Sequence, residues 1–232
     1  MKIKPHSLIQ LPETLVLVRH AQSVGNIISR DERANHEIAN HAYPLTPKGK
    51  RQTKLVSDVL RQEFGGGFFD SSFCSTFRRT KETLKIILGR SSVSLIEEDS
   101  RLDEKWDGIF HDLPNSFTLE KYSDQHNLRE RAGYYHFRPP GGESGPDIEV
   151  RIRSFFQDVH LAQKKKVLIC CHGSWLLFLR RLLQGWSVDE FHSRKKSDVP
   201  KNCSIYMYQK AEEGFYNLKI KNLEEIDEGD LA

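Results

Sequence analysis

The sequence predicts a three-layer α/β/α domain with a mostly parallel central sheet, and three observations carry that reading. Two are the runs Thr14-Leu15-Val16-Leu17-Val18 and Lys166-Val167-Leu168-Ile169-Cys170-Cys171. Both are short and almost continuously apolar, the pattern of strands buried on two faces. The third is chemical. Arg19-His20 follows the first run and His172 the second, and open α/β sheets bind ligands beyond the carboxyl ends of their strands.

Taken in order, Gln22-Ser23-Val24-Gly25-Asn26 reads as a short helix or turn, followed by a loop to about residue 42. Tyr43-Pro44-Leu45-Thr46-Pro47-Lys48-Gly49 is a helix start, with Thr46 as cap and Pro47 in the first helical position. Leu55, Val56, Val59 and Leu60 form its apolar stripe, and Gly65-Gly66-Gly67 ends it. Residues 68–75 are a second strand. A helix over 78–88 turns Thr83, Leu84, Ile87 and Leu88 inward and closes at Gly89. Residues 92–97 are a third strand. Residues 99–140 are aromatic and charged without a clean period, and read as an insertion over the carboxyl ends of the strands, its rings mostly packing.

Pro139-Pro140-Gly141-Gly142-Glu143-Ser144 is a rigid turn, its glycines read as turn residues and Glu143 as the start of a helix. That helix carries Ile148, Ile152, Phe155, Phe156 and Val159 on one face. A strongly apolar helix over 175–183 ends at Gly185, and a short helix and loop fill 189–202. Residues 203–209 and 215–221, separated by Ala211-Glu212-Glu213-Gly214, read as a closing hairpin. No repeat or Gly/Ser linker divides the chain. Residues 1–232 therefore read as one domain with a solvated acidic tail over about 223–232.

Composition narrows the class. An apolar content of 38% over 232 residues is enough for one sizeable core. Lys+Arg 35 against Asp+Glu 32 is near balance and demands neither nucleic acid nor a membrane surface. The runs Lys164-Lys165-Lys166 and Arg194-Lys195-Lys196 read as solvated faces. The four cysteines, Cys74, Cys170, Cys171 and Cys203, form no CxxC and read as buried thiols of a reducing compartment. Cys170 and Cys171 are strand neighbours, so their side chains point to opposite faces. With no signal-peptide core in residues 1–13 and no transmembrane-length run, the expectation is a cytoplasmic protein.

Arg19 and His20, Arg78 or Arg79, one of Asp103, Glu104 and Asp107, and His172 all follow strands and can share one crevice. Two imidazoles, two guanidinium forks and a carboxylate suit phosphoryl transfer. The forks grip phosphate oxygens, one imidazole can attack phosphorus, and a carboxyl can give and take the leaving group's proton. The backbone N–H groups of the helix after His172-Gly173 offer further anion donors. Two arginines make the crevice cationic, which repels a dication, so no metal is expected.

These residues resemble a known family. Leu17-Val18-Arg19-His20-Ala21 is similar to the Arg-His-Gly signature of the histidine phosphatase superfamily, also called phosphoglycerate mutase-like. Gln22-Ser23-Val24-Gly25-Asn26 resembles the segment that follows. Pro44-Leu45-Thr46-Pro47-Lys48-Gly49 resembles its Leu-Thr-x-x-Gly helix start. Ser75-Thr76-Phe77-Arg78-Arg79-Thr80-Lys81-Glu82-Thr83 resembles Ser-x-Leu-x-Arg-Ala-x-Gln-Thr, and Leu102-Asp103-Glu104-Lys105-Trp106-Asp107-Gly108 resembles Leu-x-Glu-x-x-x-Gly. Pro140-Gly141-Gly142-Glu143-Ser144 and Cys171-His172-Gly173 complete the set, in the family's order. Ala21 stands where the signature has glycine, and Gln22 where many members have Glu.

The resemblance implies His20 as nucleophile, Arg19, Arg79 and His172 as phosphate binders, Glu104 as acid/base, Gln22, Asn26 and Gly173 as substrate-side residues, and neither metal nor cofactor. The expected activity is hydrolysis of a phosphate monoester, from a phosphorylated small molecule or a phosphopeptide, through phospho-His20. Mutases of this family carry a longer insertion after the acid glutamate. Mutase-type transfer is the alternative, and a low-turnover phosphoprotein-binding module a third reading.

Overall fold

The computed structural model describes residues 1–6, 9–89, 96–212 and 214–223. Strands β1 (Lys2–Ile3), β2 (Thr14–Arg19), β3 (Ser71–Cys74), β4 (Ile96–Glu98), β5 (Lys166–Cys171), β6 (Ile205–Glu212) and β7 (Phe215–Lys221) form one sheet in the order β1-β7-β6-β2-β5-β3-β4. β2, β5, β3 and β4 pair in parallel, while β6, β7 and β1 extend the sheet antiparallel. The sheet is mostly parallel in direction and lies between two helical layers.

Alternation along the strands divides the core. Leu15, Leu17, Val167, Ile169 and Cys171 face one cluster, which α8 (Gly145–Leu161) and α9 (Gly173–Gln184) cover with Ile148, Ile152, Phe155, Phe156, Trp175, Phe178 and Leu179. Val16, Val18, Leu168 and Cys170 face the other, covered by Val56 and Leu60 of α3 (Pro47–Phe64) and Leu84 and Ile87 of α4 (Arg78–Leu88). Each fully buried Leu or Phe here contributes about 1.5–3 kcal/mol of transfer free energy. Cys170 and Cys171 fall in different clusters, and all four thiols are free and buried. No helix among the described residues is long and apolar enough to cross a membrane.

The regular helices lie where their signals stand. The Thr46 side chain accepts from the Gly49 N–H, Pro47 opens α3, and α3, α4 and α9 end against Gly65, Gly89 and Gly185. Two stretches differ from expectation. β1 was not foreseen, because a two-residue edge strand held by backbone pairing to Tyr216 and Asn217 leaves no side-chain period. β6 runs on to Glu212 across a register shift near Lys210, which shortens the hairpin turn. Residues 92–95 of the expected third strand, and residues 224–232 of the acidic tail, lie outside the described residues.

The insertion is helical. After a 3-10 turn at Ser100–Leu102 come α5 (Ile109–Asp112), α6 (Asn115–Lys121) and α7 (Ser123–His136), the last interrupted at Gly133. Its base is pinned to the Pro-Pro-Gly-Gly turn. Ile109 N–H donates to Pro140 O at 3.2 Å and Glu143 N–H to Trp106 O at 2.8 Å. Gly108 allows this approach: it has φ 53°, and a Cβ there would sit 2.1 Å from Pro140 O. On the side of residues 22–42, α1 (Val24–Ile27), α2 (Arg30–Ala34) and a 3-10 turn at Asn40–Ala42 make the other wall of the crevice.

Candidate active site

The sheet's register assembles the centre. Arg19 is opposite Cys171 in the parallel β2–β5 pair, and His20 N–H continues the ladder to Cys171 O at 3.0 Å. His20 and His172, each one residue past its strand, therefore lie side by side with ring centroids 5.1 Å apart. β3, next to β5, delivers Arg79 in the first turn of α4, and the segment after β4 delivers Glu104. All five expected catalytic side chains occupy the carboxyl end of the parallel strands.

Arg79 is the hub. It is 6% exposed. Its Nε donates to His20 Nε2 at 3.2 Å, its Nη1 to Asn40 O at 2.9 Å, and its Nη2 lies 3.4 Å from His172 Nδ1. Arg78, one residue earlier, pairs outward with Glu82 at 2.6 Å. Burial, above all, pulls the Arg79 guanidinium down to about 10, still a cation at neutral pH.

The tautomer of His20 follows from its partners. Its Nδ1 lies 2.8 Å from the carbonyl of Ala21, which can only accept. Nδ1 therefore holds the proton, and Nε2 presents its lone pair to Arg79. Burial first, then Arg79 and Arg19, push the His20 pKa well below 6.5. Burial, Arg79, His20 and Arg19 do the same for His172. Both rings are neutral at physiological pH. His172 Nε2 is 2.7 Å from Ser75 Oγ, which in turn meets Thr80 Oγ1 at 2.9 Å.

Glu104 occupies the place that the sequence offers to phosphate. Its carboxylate accepts the N–H groups of Ser174 and Trp175, both at 3.3 Å, and of Lys105 at 3.0 Å. Two donors of the α9 N-terminus are thus engaged by the protein's own anion, a correction to the expectation that they face the ligand. The neighbouring acids have other work. Asp103 accepts from Thr76 N–H at 2.9 Å, and Asp107 pairs with Lys105 Nζ at 2.6 Å.

Arg19 donates through Nη1 to Pro200 O and lies against Gly173, where a Cβ would stand 3.4 Å from its Nε. A glycine at this point lets the guanidinium lie on the first turn of α9. Gln22 Oε1 accepts the Thr46 hydroxyl at 2.8 Å. Asn26 Oδ1 accepts the Ser23 N–H at 2.9 Å, which leaves its amide N–H₂ as the group suited to a ligand. Among the described residues no three His, Cys, Asp or Glu side chains are grouped so as to hold a metal ion.

Several supporting residues escape the sequence reading. Ser75 orients His172. Asn202 donates to His20 O at 2.8 Å and Asn40 braces Arg79. Glu143 pairs with Arg151 at 2.8 Å, and Arg151 also donates to Arg101 O at 2.7 Å and Glu104 O at 3.3 Å, fixing the backbone that carries the acid. At the mouth, Trp106 stacks on His111, whose ring is bonded to Asn40. The run Arg194-Lys195-Lys196 is not uniformly solvated: Lys195, on α10 (Val188–Ser197), is half-buried with Nζ 4.0 Å from the Tyr134 ring centre.

Comparison with known proteins agrees with this architecture. A profile of the histidine phosphatase superfamily (branch 1) matches residues 15–223. A phosphoglycerate mutase-like protein of Arabidopsis thaliana is 27% identical over 93% of this chain and 80% of its own. A 2,3-bisphosphoglycerate-dependent phosphoglycerate mutase of Cytophaga hutchinsonii is 31% identical over 76% of this chain and 79% of its own. The fold is shared with the alpha-ribazole phosphatase of Shigella flexneri, with TM-score 0.70, 18% identity, and coverage of 89% of this chain and 95% of that one. The chain belongs to the histidine phosphatase superfamily.

Proposed function

We propose that the chain hydrolyses phosphate monoesters through a phosphohistidine on His20, without a metal. The observation that carries this is the His20 ring, with Nδ1 on the Ala21 carbonyl at 2.8 Å and Nε2 toward Arg79 at 3.2 Å. A neutral imidazole with its lone pair aimed at a buried guanidinium is a nucleophile poised at an oxyanion site. As phosphate enters, Arg79 exchanges its imidazole contacts for phosphate oxygens and Arg19 adds a second fork. His172, held at Nε2 by Ser75 Oγ, turns its Nδ1 edge toward the same oxygens.

The His20 lone pair forms the N–P bond as the ester P–O bond breaks, and Glu104, having taken the acid proton of the bound phosphate monoanion, gives it to the departing oxygen. Glu104 then takes a proton from water, whose oxygen forms the new P–O bond as N–P breaks. The substrate is a phosphorylated small molecule or phosphopeptide. Four buried free thiols support a reducing, cytoplasmic setting.

Mutase-type transfer is the second reading, favoured by the name of the Cytophaga relative. Assay with 3-phosphoglycerate and 2,3-bisphosphoglycerate as primer decides. Phosphate release faster than isomerisation supports hydrolysis, and the reverse order replaces it with transfer. A broad ester panel with no turnover, together with retained binding of phosphorylated partners by His20→Ala, would replace it with the binding-module reading.

A further inference from the structure

The two peptide units that follow His20 are gripped by buried side chains. The β2–β5 ladder stops at the His20 N–H, so side chains take over from there. In the first unit the His20 carbonyl accepts from Asn202 Nδ2 at 2.8 Å, and the Ala21 N–H donates to Thr83 Oγ1 at 3.1 Å. In the second the Ala21 carbonyl faces His20 Nδ1 at 2.8 Å, and the Gln22 N–H donates to Gln52 Oε1 at 3.2 Å. Gln52 lies on α3, Thr83 on α4, and Asn202 between α10 and β6. The three are 7%, 0% and 8% exposed.

The directions of these bonds are forced. A backbone N–H can only donate, so Gln52 turns its oxygen toward Gln22. The Thr83 hydroxyl has one hydrogen, which goes to the Arg79 carbonyl one helical turn back at 2.7 Å, and a lone pair is left for Ala21. Thr83 therefore ties the strand end that carries His20 to the helix that carries Arg79. The hold on the second unit bears on the ring itself. A flip of that unit would take the Ala21 carbonyl away from Nδ1 and bring the Gln22 N–H toward it. An N–H there favours the other tautomer, with the proton on Nε2 and no lone pair toward Arg79.

We infer that Gln52, Thr83 and Asn202 are positioning residues that lock these two peptide units and so keep the His20 Nε2 lone pair in the pocket. What the lone pair does there rests on the phosphohistidine reading; the lock itself rests on the hydrogen bonds alone.

Nitrogen-15 NMR of the whole protein reads the tautomer, with the His20 signals assigned by their loss in His20→Asn. Expected in the wild type at neutral pH is a protonated Nδ1 and a bare Nε2. In Gln52→Met and Thr83→Val, which keep the volume but remove the acceptor, an Nε2–H form of about a tenth of the population or more appears. In Thr83→Ser, which keeps the hydroxyl, it does not. Single-turnover labelling of His20 by a ³²P-ester slows about tenfold or more in the Met and Val variants and recovers in Thr83→Ser. Calorimetric affinity for inorganic phosphate stays within about threefold throughout, because no phosphate contact is removed. Asn202→Ala, which frees the other end of the first unit, changes in the same direction as Thr83→Val. A proton on Nε2 in the wild type, or a bare Nε2 in all the variants, overturns the inference. Equal losses in Thr83→Ser and Thr83→Val, or phosphate affinity that falls in step with labelling, also overturn it by assigning these residues to folding alone. A tautomer shift in the variants of a protein that no ester labels removes the phosphohistidine reading and leaves the lock. Labelling at the wild-type rate in every variant removes the lock and leaves that reading.

Discussion

The pocket around His20 and the mouth above it are built on different principles. In the pocket, backbone ladders set the positions: His20 bonds to the strand that carries His172, and Arg79 touches both rings. In the mouth, Trp106, His111, Phe110, Tyr134, Arg129 and Lys195 are placed by ring stacking and cation–π contact between short helices. A sheet-built site is rigid and tolerates little change. A mouth of side chains on short helices can change its residues without disturbing the reaction centre. Under the proposed function, the difference gives chemistry to one region and choice of ester to the other.

That division can be broken experimentally. The largest effect is expected for His20→Ala, which should lower release of p-nitrophenol from p-nitrophenyl phosphate by at least about 10⁴-fold and abolish labelling of the protein by ³²P-ester. Arg79→Lys should cost about 10²- to 10³-fold in kcat/KM on every ester, since one ammonium cannot replace a fork that spans both histidines. Arg78→Lys should stay within about twofold, since the exposed Arg78 side chain points away from the pocket to pair with Glu82.

Acid should weaken the fold through the same rings. An imidazole whose pKa is lowered by folding is protonated first in the unfolded chain. Its stability contribution is therefore complete above the unfolded value, about 6.5, and is lost as pH falls through it toward the lowered folded value. His20 and His172 together should cost up to about 2.5 kcal/mol between pH 7 and pH 5.5. Urea unfolding of wild type against His172→Asn, which should shed about half of that slope, checks this.

The smallest effect on chemistry is expected at the mouth. Trp106→Ala should change kcat on p-nitrophenyl phosphate by less than about threefold while shifting relative kcat/KM across an ester panel by about fivefold or more. A uniform loss across the panel would erase the distinction between the two regions.

The pocket was legible because its residues follow strands whose apolar runs announce themselves, and strand ends are where α/β sheets gather chemistry. The choice of Arg79 over Arg78 was also present in the helix phase: Arg79, Thr83 and Ile87 share the buried face at spacing i, i+4, i+8. Lys195 carried a similar signal, four residues after the fully buried Phe191, which sets it apart from its flanking cations. Ser75, Asn40 and Asn202 had no such signal. Their partners are 97, 39 and 182 residues away, and a contact of that separation leaves no local pattern. The helices of the insertion were hidden for another reason. They are short, and α6 and α7 bury few residues, so no apolar stripe marks them.

The position of β2 has a consequence for biosynthesis. Its neighbours on both sides, β5 and β6, belong to the last third of the chain, and Asn202 closes on the His20 carbonyl across 182 residues. His20 leaves the ribosome early and waits for nearly all of the protein before it has a pocket. Such long loop closures slow folding. They also keep the nascent chain from phosphoryl chemistry: until β5 is inserted beside β2, His20 is an ordinary solvated histidine.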